Sequence, residues 1–192
     1  MIKKSELIKE LKRGKIAIIP TDTLYGIVGS AKKIKTVEEI YNLKSRNPKK
    51  PLIILIKSIR DLKFFGIKLS DMEYSLLKKI WPGKVSVILP CPDEKFKYLH
   101  RGTKSLAFRL PKKRSLLEII KKTGPLVAPS ANLEGKKPAT NTIEAERYFG
   151  NKIKFYFGQK KLKSKPSTIV ELKKEEIKII RQGDVKIKRF VL

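Results

Sequence analysis

The sequence predicts an α/β domain in which helices pack against a largely buried sheet. Three short apolar runs are typical of strands buried on both faces, because no charged residue interrupts them. Between these runs, apolar residues recur at helical spacing, so strands and helices alternate along the chain. The three runs are residues 16–19 (IAII), 51–56 (PLIILI) and 125–128 (PLVA).

Length and composition limit the class of protein. A chain of 192 residues that is 41% hydrophobic can bury a sizeable core, so we expect one domain spanning residues 1–192. The chain has one cysteine, Cys91, and one histidine, His100, which argues against a disulfide framework and against a zinc site. No apolar run reaches membrane-spanning length and no signal-peptide pattern is present, so we expect a cytoplasmic protein without a membrane partner.

The charge is strongly unbalanced. Lysine and arginine number 46 against 18 acidic residues, which gives a net charge of +28. A basic surface of this kind attracts nucleic acid or other polyanions. Alternatively, lysine is simply the preferred surface residue, and the spread of lysine pairs from Lys3-Lys4 to Lys173-Lys174 in part favours this second explanation.

Local start and stop signals place the elements of the first half. Gly14 ends an amphipathic helix, and Pro20 ends the first strand because it has no N–H for a sheet. Thr36-Val37-Glu38-Glu39 matches a capping box that opens a helix. The predicted elements are a helix at 5–13, the strand at 16–19, a polar loop at 20–26, a helix at 36–43, the strand at 51–56 and a short helix at 58–64.

The second half contains the same kinds of signal. Ser70-Asp71-Met72-Glu73 is a second capping box, and Asn141 is a candidate N-cap. Alternating residues at 105–109 predict a strand that ends in Arg109. The predicted elements are a helix from Ser70 to Ile80, strands at 85–89 and 105–109 joined by a polar connection at 91–102, a helix at 115–122, the strand at 125–128, a helix from Asn141, and strands at 152–157, 167–171 and 177–181.

Polar side chains follow several predicted strands. Strand ends host both ordinary turns and binding sites, and paired cations at a helix end are often only surface charges. If these side chains share one cleft, however, Lys44 and Arg46 make it a cationic pocket suited to a phosphorylated ligand. No Walker A or GxGxxG sequence is present. The strand-end residues are Thr21, Thr23, Arg109, Ser130, Asn132, Ser167 and Arg181.

Five short motifs occur in a fixed order with fitting spacing. Together they resemble the YrdC-like family of threonylcarbamoyl-AMP synthases, in its short, single-domain bacterial form. The resemblance implies an α/β fold with a twisted mixed sheet and flanking helices around a basic cleft. The motifs are PTDTLYG at 20–26, KSR at 44–46, PSAN at 129–132, PST at 166–168 and IRQG at 180–183.

The resemblance also implies a reaction. L-threonine, bicarbonate and ATP, accompanied by Mg²⁺, give L-threonylcarbamoyl-AMP and pyrophosphate, which makes the enzyme a nucleotidyltransferase. Other tRNA-modification proteins then transfer the threonylcarbamoyl group to tRNA position 37. Two alternatives stay open: a non-catalytic protein of this fold that binds tRNA or double-stranded RNA, and the carbamoyl-adenylate chemistry of hydrogenase maturation.

The matching positions imply a role for each site residue. ATP is bound by Lys44, Arg46, Ser105, Ser130, Asn132 and Arg181, of which Lys44 and Arg46 are the catalytic pair. Threonine is bound by Thr23, Arg109, the Ala128 backbone and Ser167. No residue is assigned to a metal, and Asp22 either helps to hold a metal ion or caps its turn. The chain departs from the family at Leu55 and Lys112-Lys113, where many members have histidines.

Overall fold

The computed structural model describes residues 2–173 and 176–187, and its centre is a mixed sheet of nine strands in the order β7-β1-β2-β6-β3-β5-β4-β8-β9. Three neighbouring pairs are parallel (β1–β7, β3–β5 and β4–β8), and the others are antiparallel. The strands are β1 (Ala17–Pro20), β2 (Tyr25–Ser30), β3 (Ile53–Leu55), β4 (Val85–Pro90), β5 (Ser105–Arg109), β6 (Leu126–Val127), β7 (Phe155–Tyr156), β8 (Thr168–Lys173) and β9 (Glu176–Arg181). The α-helices are α1 (Lys4–Arg13), α2 (Ile34–Lys44), α3 (Asp71–Ile80), α4 (Lys97–His100), α5 (Arg114–Thr123) and α6 (Thr142–Phe149), and Ile59–Phe65 forms a 3-10 helix.

The two faces of the sheet are covered differently. Side chains alternate along each strand, so Ile54 and Phe108 face one side and Leu55 faces the other. The first side packs in one large core with α2, α3, α4 and α6. The second side packs against α1 and α5 around β1, β2 and β6, and leaves the part over β3, β5, β4 and β8 without a helix. This uncovered part of the sheet is where a ligand can lie.

The predicted fold class is confirmed, since helices flank a mixed sheet whose central strands are largely buried. The helix at 5–13, the strands at 51–56, 85–89 and 105–109, and the helix at 115–122 all lie within a few residues of their predicted bounds. As predicted, α3 begins with a complete capping box at Ser70, and Asn141 accepts the backbone N–H of Glu144.

The prediction that 20–26 forms one polar loop is wrong. Only residues 21–24 are a turn, and Tyr25 begins the fully buried strand β2, which returns antiparallel to β1 with Pro20 opposite Tyr25. The connection at 91–102 is also more regular than predicted, because it contains a 3-10 turn at Glu94–Phe96 and the short helix α4.

The capping box predicted at Thr36 is wrong as well. Helix α2 begins two residues earlier, at Ile34, with Lys33 as its N-cap. Thr36 therefore lies inside the first turn, and its hydroxyl donates instead to the carbonyl of Gly14 at 2.7 Å. The buried face of the helix is nevertheless as predicted, since Val37, Ile40 and Tyr41 pack into the core.

Candidate functional site

The candidate site is a cavity of about 670 Å³ over the uncovered part of the sheet. Three apolar residues of adjacent strands form its floor: Ile53 lies opposite Ala107, and Ala107 lies opposite Ile88. Because side chains alternate, Ser105 and Arg109 share the cavity side of β5 with Ala107. The small side chain of Ala107 leaves room between these two polar neighbours, and the volume is in the range of small-molecule sites.

Turns and loops at the strand ends build the walls of the cavity. They are the β1–β2 turn, the loop that follows α2, the loop that follows β6, and the segment that precedes β8. The charged residues among the described lining are all cations, with no carboxylate between them, and this excess of positive charge suits an anionic ligand. These cations are Arg46, Lys49, Lys50, Arg109 and Arg181.

Three arginines of the site act on one another. Burial lowers the pKa of Arg181, and repulsion from Arg109 and Arg46 lowers it further. The Nη2 atom of Arg181 donates to the carbonyl of Ser167 at 2.8 Å, which ties the end of β9 to the segment before β8. An anion bound between the guanidinium groups would offset their mutual repulsion.

Arg109 is held from behind by a carboxylate. Its side chain is 4% exposed, and Nη2 lies 3.1 Å from Oδ1 of the equally buried Asp22. Burial lowers the pKa of Arg109, and the charge of Asp22 acts against this decrease. Lys113 reinforces the same turn, because its Nζ donates to the carbonyls of Pro20 and Thr21 at 3.1 and 3.2 Å. Asp22, whose role the sequence leaves open, is thus the ion-pair partner of Arg109.

Lys44 does not line the cavity. It ends α2 with only 1% of its surface exposed, and its Nζ donates to the carbonyls of Ser130 and Asn132 and to Oδ1 of Asn132. Burial, followed by repulsion from Arg46, lowers the pKa of Lys44 to about 7. Asn132 also lies behind the lining and accepts the hydroxyl of Ser130 at 2.7 Å. Lys44 and Asn132 therefore hold the loop that presents Ser130 to the cavity.

Arg46 lies in the wall, and its own loop closes around it. Ser45 has a left-handed conformation (φ 48°), which ends α2 and turns the chain towards the cavity. Arg46 donates from Nε to the carbonyl of Lys50 at 3.1 Å and from Nη2 to the carbonyl of Pro51 at 3.3 Å. Lys50 pairs in turn with Glu134 at 2.7 Å. The loop is therefore folded with three cations, Arg46, Lys49 and Lys50, on the cavity.

The structure brings together all the site residues predicted from the sequence except Lys44 and Asn132, and their individual roles stay predictions. Sequence reasoning missed, among other lining residues, Lys49, Lys50 and the apolar floor. The alternation Ser105-Leu106-Ala107-Phe108-Arg109 could have identified Ala107. Lys49 and Lys50 directly follow the KSR motif, which was a signal for two further cations at the same wall.

Cys91 and His100, the residues with the most reactive side chains, lie outside the cavity. Cys91 donates to the carbonyl of Phe65, and burial raises the pKa of its thiol to about 11. His100 is buried and accepts the N–H of Gly102 at Nδ1. Across residues 2–173 and 176–187, no group of His, Cys, Asp or Glu side chains is arranged to hold a metal ion. Over the same residues, every helix is too short or too polar to cross a membrane.

Comparison with known proteins identifies relatives for nearly the whole chain. The family of Sua5, YciO and YrdC, which carries the description "Telomere recombination", matches residues 9–183. A threonylcarbamoyl-AMP synthase of Bacillus subtilis is 36% identical over 132 residues, and a putative one of Methanocaldococcus jannaschii is 32% identical over 189 residues. A crystal structure of Pyrococcus abyssi Sua5 complexed with L-threonine superposes with a TM-score of 0.85 at 26% identity.

These relatives differ in length. The alignments cover 68% of this chain and 38% of the Bacillus protein, and 96% of this chain and 87% of the Methanocaldococcus protein. The Pyrococcus structure matches over 95% of this chain and 55% of its own. The chain thus corresponds to about half or less of the longer relatives and to most of the shorter one.

Proposed function

The chain belongs to the Sua5, YciO and YrdC family, and from this membership we propose that it is a threonylcarbamoyl-AMP synthase. The substrates would be L-threonine, bicarbonate and ATP, and the products L-threonylcarbamoyl-AMP and pyrophosphate. The observation that carries the proposal is a single cavity with a cationic wall at Arg46, Lys49 and Lys50 and a hydroxyl-and-arginine pocket at Thr23, Ser167 and Arg109. The first suits a triphosphate, and the second suits an amino acid.

The reaction requires positioning more than a reactive protein group. Bicarbonate loses water to give CO2, and the amine of threonine captures the CO2 and releases a proton to form a carbamate. A carbamate oxygen then attacks the α-phosphorus of ATP, and pyrophosphate leaves. This chemistry is consistent with a cavity that contains neither Cys91 nor His100. The chain's contribution is to hold the two substrates together and to offset the negative charge that develops at the phosphates.

We assign to the residues that line the cavity the roles that the family resemblance implies. Arg46 and Arg181 would bind phosphate oxygens, with Ser105 and Ser130 as hydroxyl partners, and Arg109 would bind the threonine carboxylate beside Thr23, Ser167 and the Ala128 backbone. Lys44 and Asn132 would support Ser130 from behind. The described lining has no carboxylate and so does not fit a magnesium ion held by the protein. Magnesium therefore enters only as the companion of ATP, and we assign it no step.

The cellular role extends the same proposal. The product would pass to proteins that complete the threonylcarbamoyladenosine modification of tRNA, in the cytoplasm. The net charge of +28 favours, as a second candidate, direct binding of RNA. Salt separates the two candidates, because non-specific RNA binding weakens steeply with salt as counterions are released, whereas threonine-dependent turnover does not require RNA.

The test is pyrophosphate release with and without threonine and bicarbonate, with mass spectrometry of the product. We expect turnover only when both are present, and a product with the mass of threonylcarbamoyl-AMP. Arg46→Ala should lower kcat/KM by about 10²-fold or more, because charge stabilisation is the main contribution available. The exposed Arg60, which is outside the cavity, provides the matched control Arg60→Ala. ATP turnover that is indifferent to threonine would overturn the assignment.

A further inference from the structure

A buried hydroxyl group lies under the cavity. Ser86 is in β4 on the same side as Ile88, which forms part of the cavity floor, whereas Val85 and Val87 face the large core. The side chain of Ser86 is fully buried, with 0% exposure. A hydroxyl in such a position costs about 1–3 kcal/mol unless it is hydrogen-bonded, so its partner explains its presence.

That partner is Ser167. The two Oγ atoms lie 3.0 Å apart, and the described residues offer the Ser86 hydroxyl no other acceptor. If Ser167 were the donor of this bond, the proton of Ser86 would be buried without an acceptor. Every buried proton has an acceptor only if Ser86 donates to Ser167. The proton of Ser167 is then free to point into the cavity that Ser167 lines.

The groups around Ser167 indicate which ligand its proton can bind. Arg181 donates to its carbonyl, and Arg109 lies in the same lining. A Ser167 proton directed into the cavity adds a hydroxyl donor beside the Arg109 guanidinium, and such a pair suits a carboxylate. We propose that Ser86 is a positioning residue that fixes Ser167 as a hydrogen-bond donor to the carboxylate of the amino-acid substrate. This inference rests on the proposed function.

The matched pair Ser86→Thr and Ser86→Val isolates the hydroxyl, because threonine and valine have nearly the same shape. We expect the Val variant to have a KM for threonine about fivefold to tenfold above that of the Thr variant, the cost of an oriented hydrogen bond. The KM for ATP and kcat should be similar in the two variants, since Ser86 is expected to act only on the amino-acid pocket. Equal threonine KM values in the two variants would overturn the inference.

The background variant Ser167→Ala separates positioning from packing. In this background the KM for threonine should be the same with Val and with Thr at position 86, because there is no Ser167 hydroxyl left to orient. A difference that persists would mean that Ser86 acts through packing and would overturn the inference. If Thr and Val do not fold at position 86, Ser86→Ala in the two backgrounds gives the same comparison. A wild-type protein that does not use threonine would overturn both proposals, whereas threonine use with equal variants overturns this one alone.

Discussion

Asp22 and Arg109 show how the site can hold a buried cation before any substrate arrives. Their side chains are 6% and 4% exposed, so both charges have lost most of their hydration. The cost of removing two charges from water can equal the attraction between them, so the intact pair contributes little net stability. Loss of one partner is different, because the other charge then stays buried without compensation.

The variant Asp22→Asn should therefore be strongly destabilised. We expect the free energy of unfolding to fall by about 3–5 kcal/mol, measured by urea unfolding. The control is Glu38→Gln, which removes the carboxylate from an ion pair with Arg101 in which the Glu38 side chain is 44% exposed. That change should cost less than about 1 kcal/mol, because exposed pairs are screened by water. Equal losses in the two variants would contradict the importance of burial.

Lys44 gives stability an unusual dependence on pH. Its pKa is about 7 in the folded protein and ordinarily 10.5, so between these values the unfolded chain binds the proton that the folded chain has released. More protons bound by the unfolded state means that stability rises with pH, whereas below pH 7 both states are protonated and the slope vanishes. Relative to Lys44→Met, the wild-type protein should gain stability from pH 7 to about pH 10.

Urea unfolding of both proteins at several pH values measures this difference. In a plot of unfolding free energy against pH, the hydrogen bonds that Lys44→Met lacks shift its curve by a constant amount. The titration of Lys44 changes the distance between the two curves with pH. All other residues are the same in both proteins, so their contributions to the pH dependence cancel in the difference. Parallel curves across the window would show that Lys44 keeps an ordinary pKa in the folded protein.

Among the secondary-structure elements, packing between distant segments explains what the sequence did not predict. Strand β2 contains two glycines, which weaken a strand pattern. A Cβ at Gly29 would lie 2.4 Å from Cγ2 of Thr36, so glycine is required there for the close approach of α2. The hydroxyl of Thr36 also bonds to the carbonyl of Gly14, because helix α2, strand β2 and the end of helix α1 meet at this point. Local rules succeed at Ser70, whose side chain, among the residues that the structure describes, bonds only within the first turn of its own helix, to the N–H of Glu73.

The candidate site also has features that the sequence predicts and features that depend on distant segments. Ordered motifs and strand ends identified eight of the ten predicted site residues as lining residues, because the ends of adjacent strands converge by topology, but they missed Lys49, Lys50 and the apolar floor. The direction of a long side chain is a different matter. Lys44 and Arg46 are two residues apart, yet one donates to the loop behind the site and the other lies in its wall. This divergence depends on the left-handed turn at Ser45 and on a loop about 86 residues away, as the spacing of the Lys44–Ser130 bond shows.

The contact between the end of β9 and the segment before β8 predicts the effect of Gly183→Ala. A Cβ at Gly183 would lie 2.2 Å from the carbonyl oxygen of Pro166 and 2.6 Å from that of Ser167, so this backbone must shift. We expect the KM for threonine to rise about tenfold or more, since misplacement by about 1 Å has large kinetic effects. The control is Gly150→Ala, which strains a positive φ of 46° but meets no atom within 4 Å. It should lose stability at an unchanged KM, and an unchanged KM in Gly183→Ala would contradict the prediction.

The charge of the entire chain affects its stability as well as its ligands. The positive charges of a chain with a net charge of +28 repel one another in the folded state. In nine of the ten ion pairs among the described residues at least one side chain is more than a quarter exposed, so these pairs are weak. Five of the chain's cations lie together in the lining of the cavity. Salt shortens the range of this repulsion from about 10 Å at 0.1 M to about 3 Å at 1 M. Anions should therefore stabilise the folded protein in two ways: by general screening of the repulsion and by specific binding in the cavity.

Thermal unfolding in rising sodium chloride and in pyrophosphate should separate these two effects. We expect Tm to rise by about 4 °C or more between about 20 mM and 500 mM sodium chloride, the shift that corresponds to about 1–2 kcal/mol in a chain of this size. At constant ionic strength, pyrophosphate should raise Tm further by binding the folded state. Arg46→Ala should abolish the pyrophosphate effect and keep the salt effect, whereas Arg60→Ala should keep both. A Tm that does not change with salt would mean that charge repulsion is not a significant term, and a pyrophosphate effect that survives Arg46→Ala would place the anion elsewhere on the basic surface.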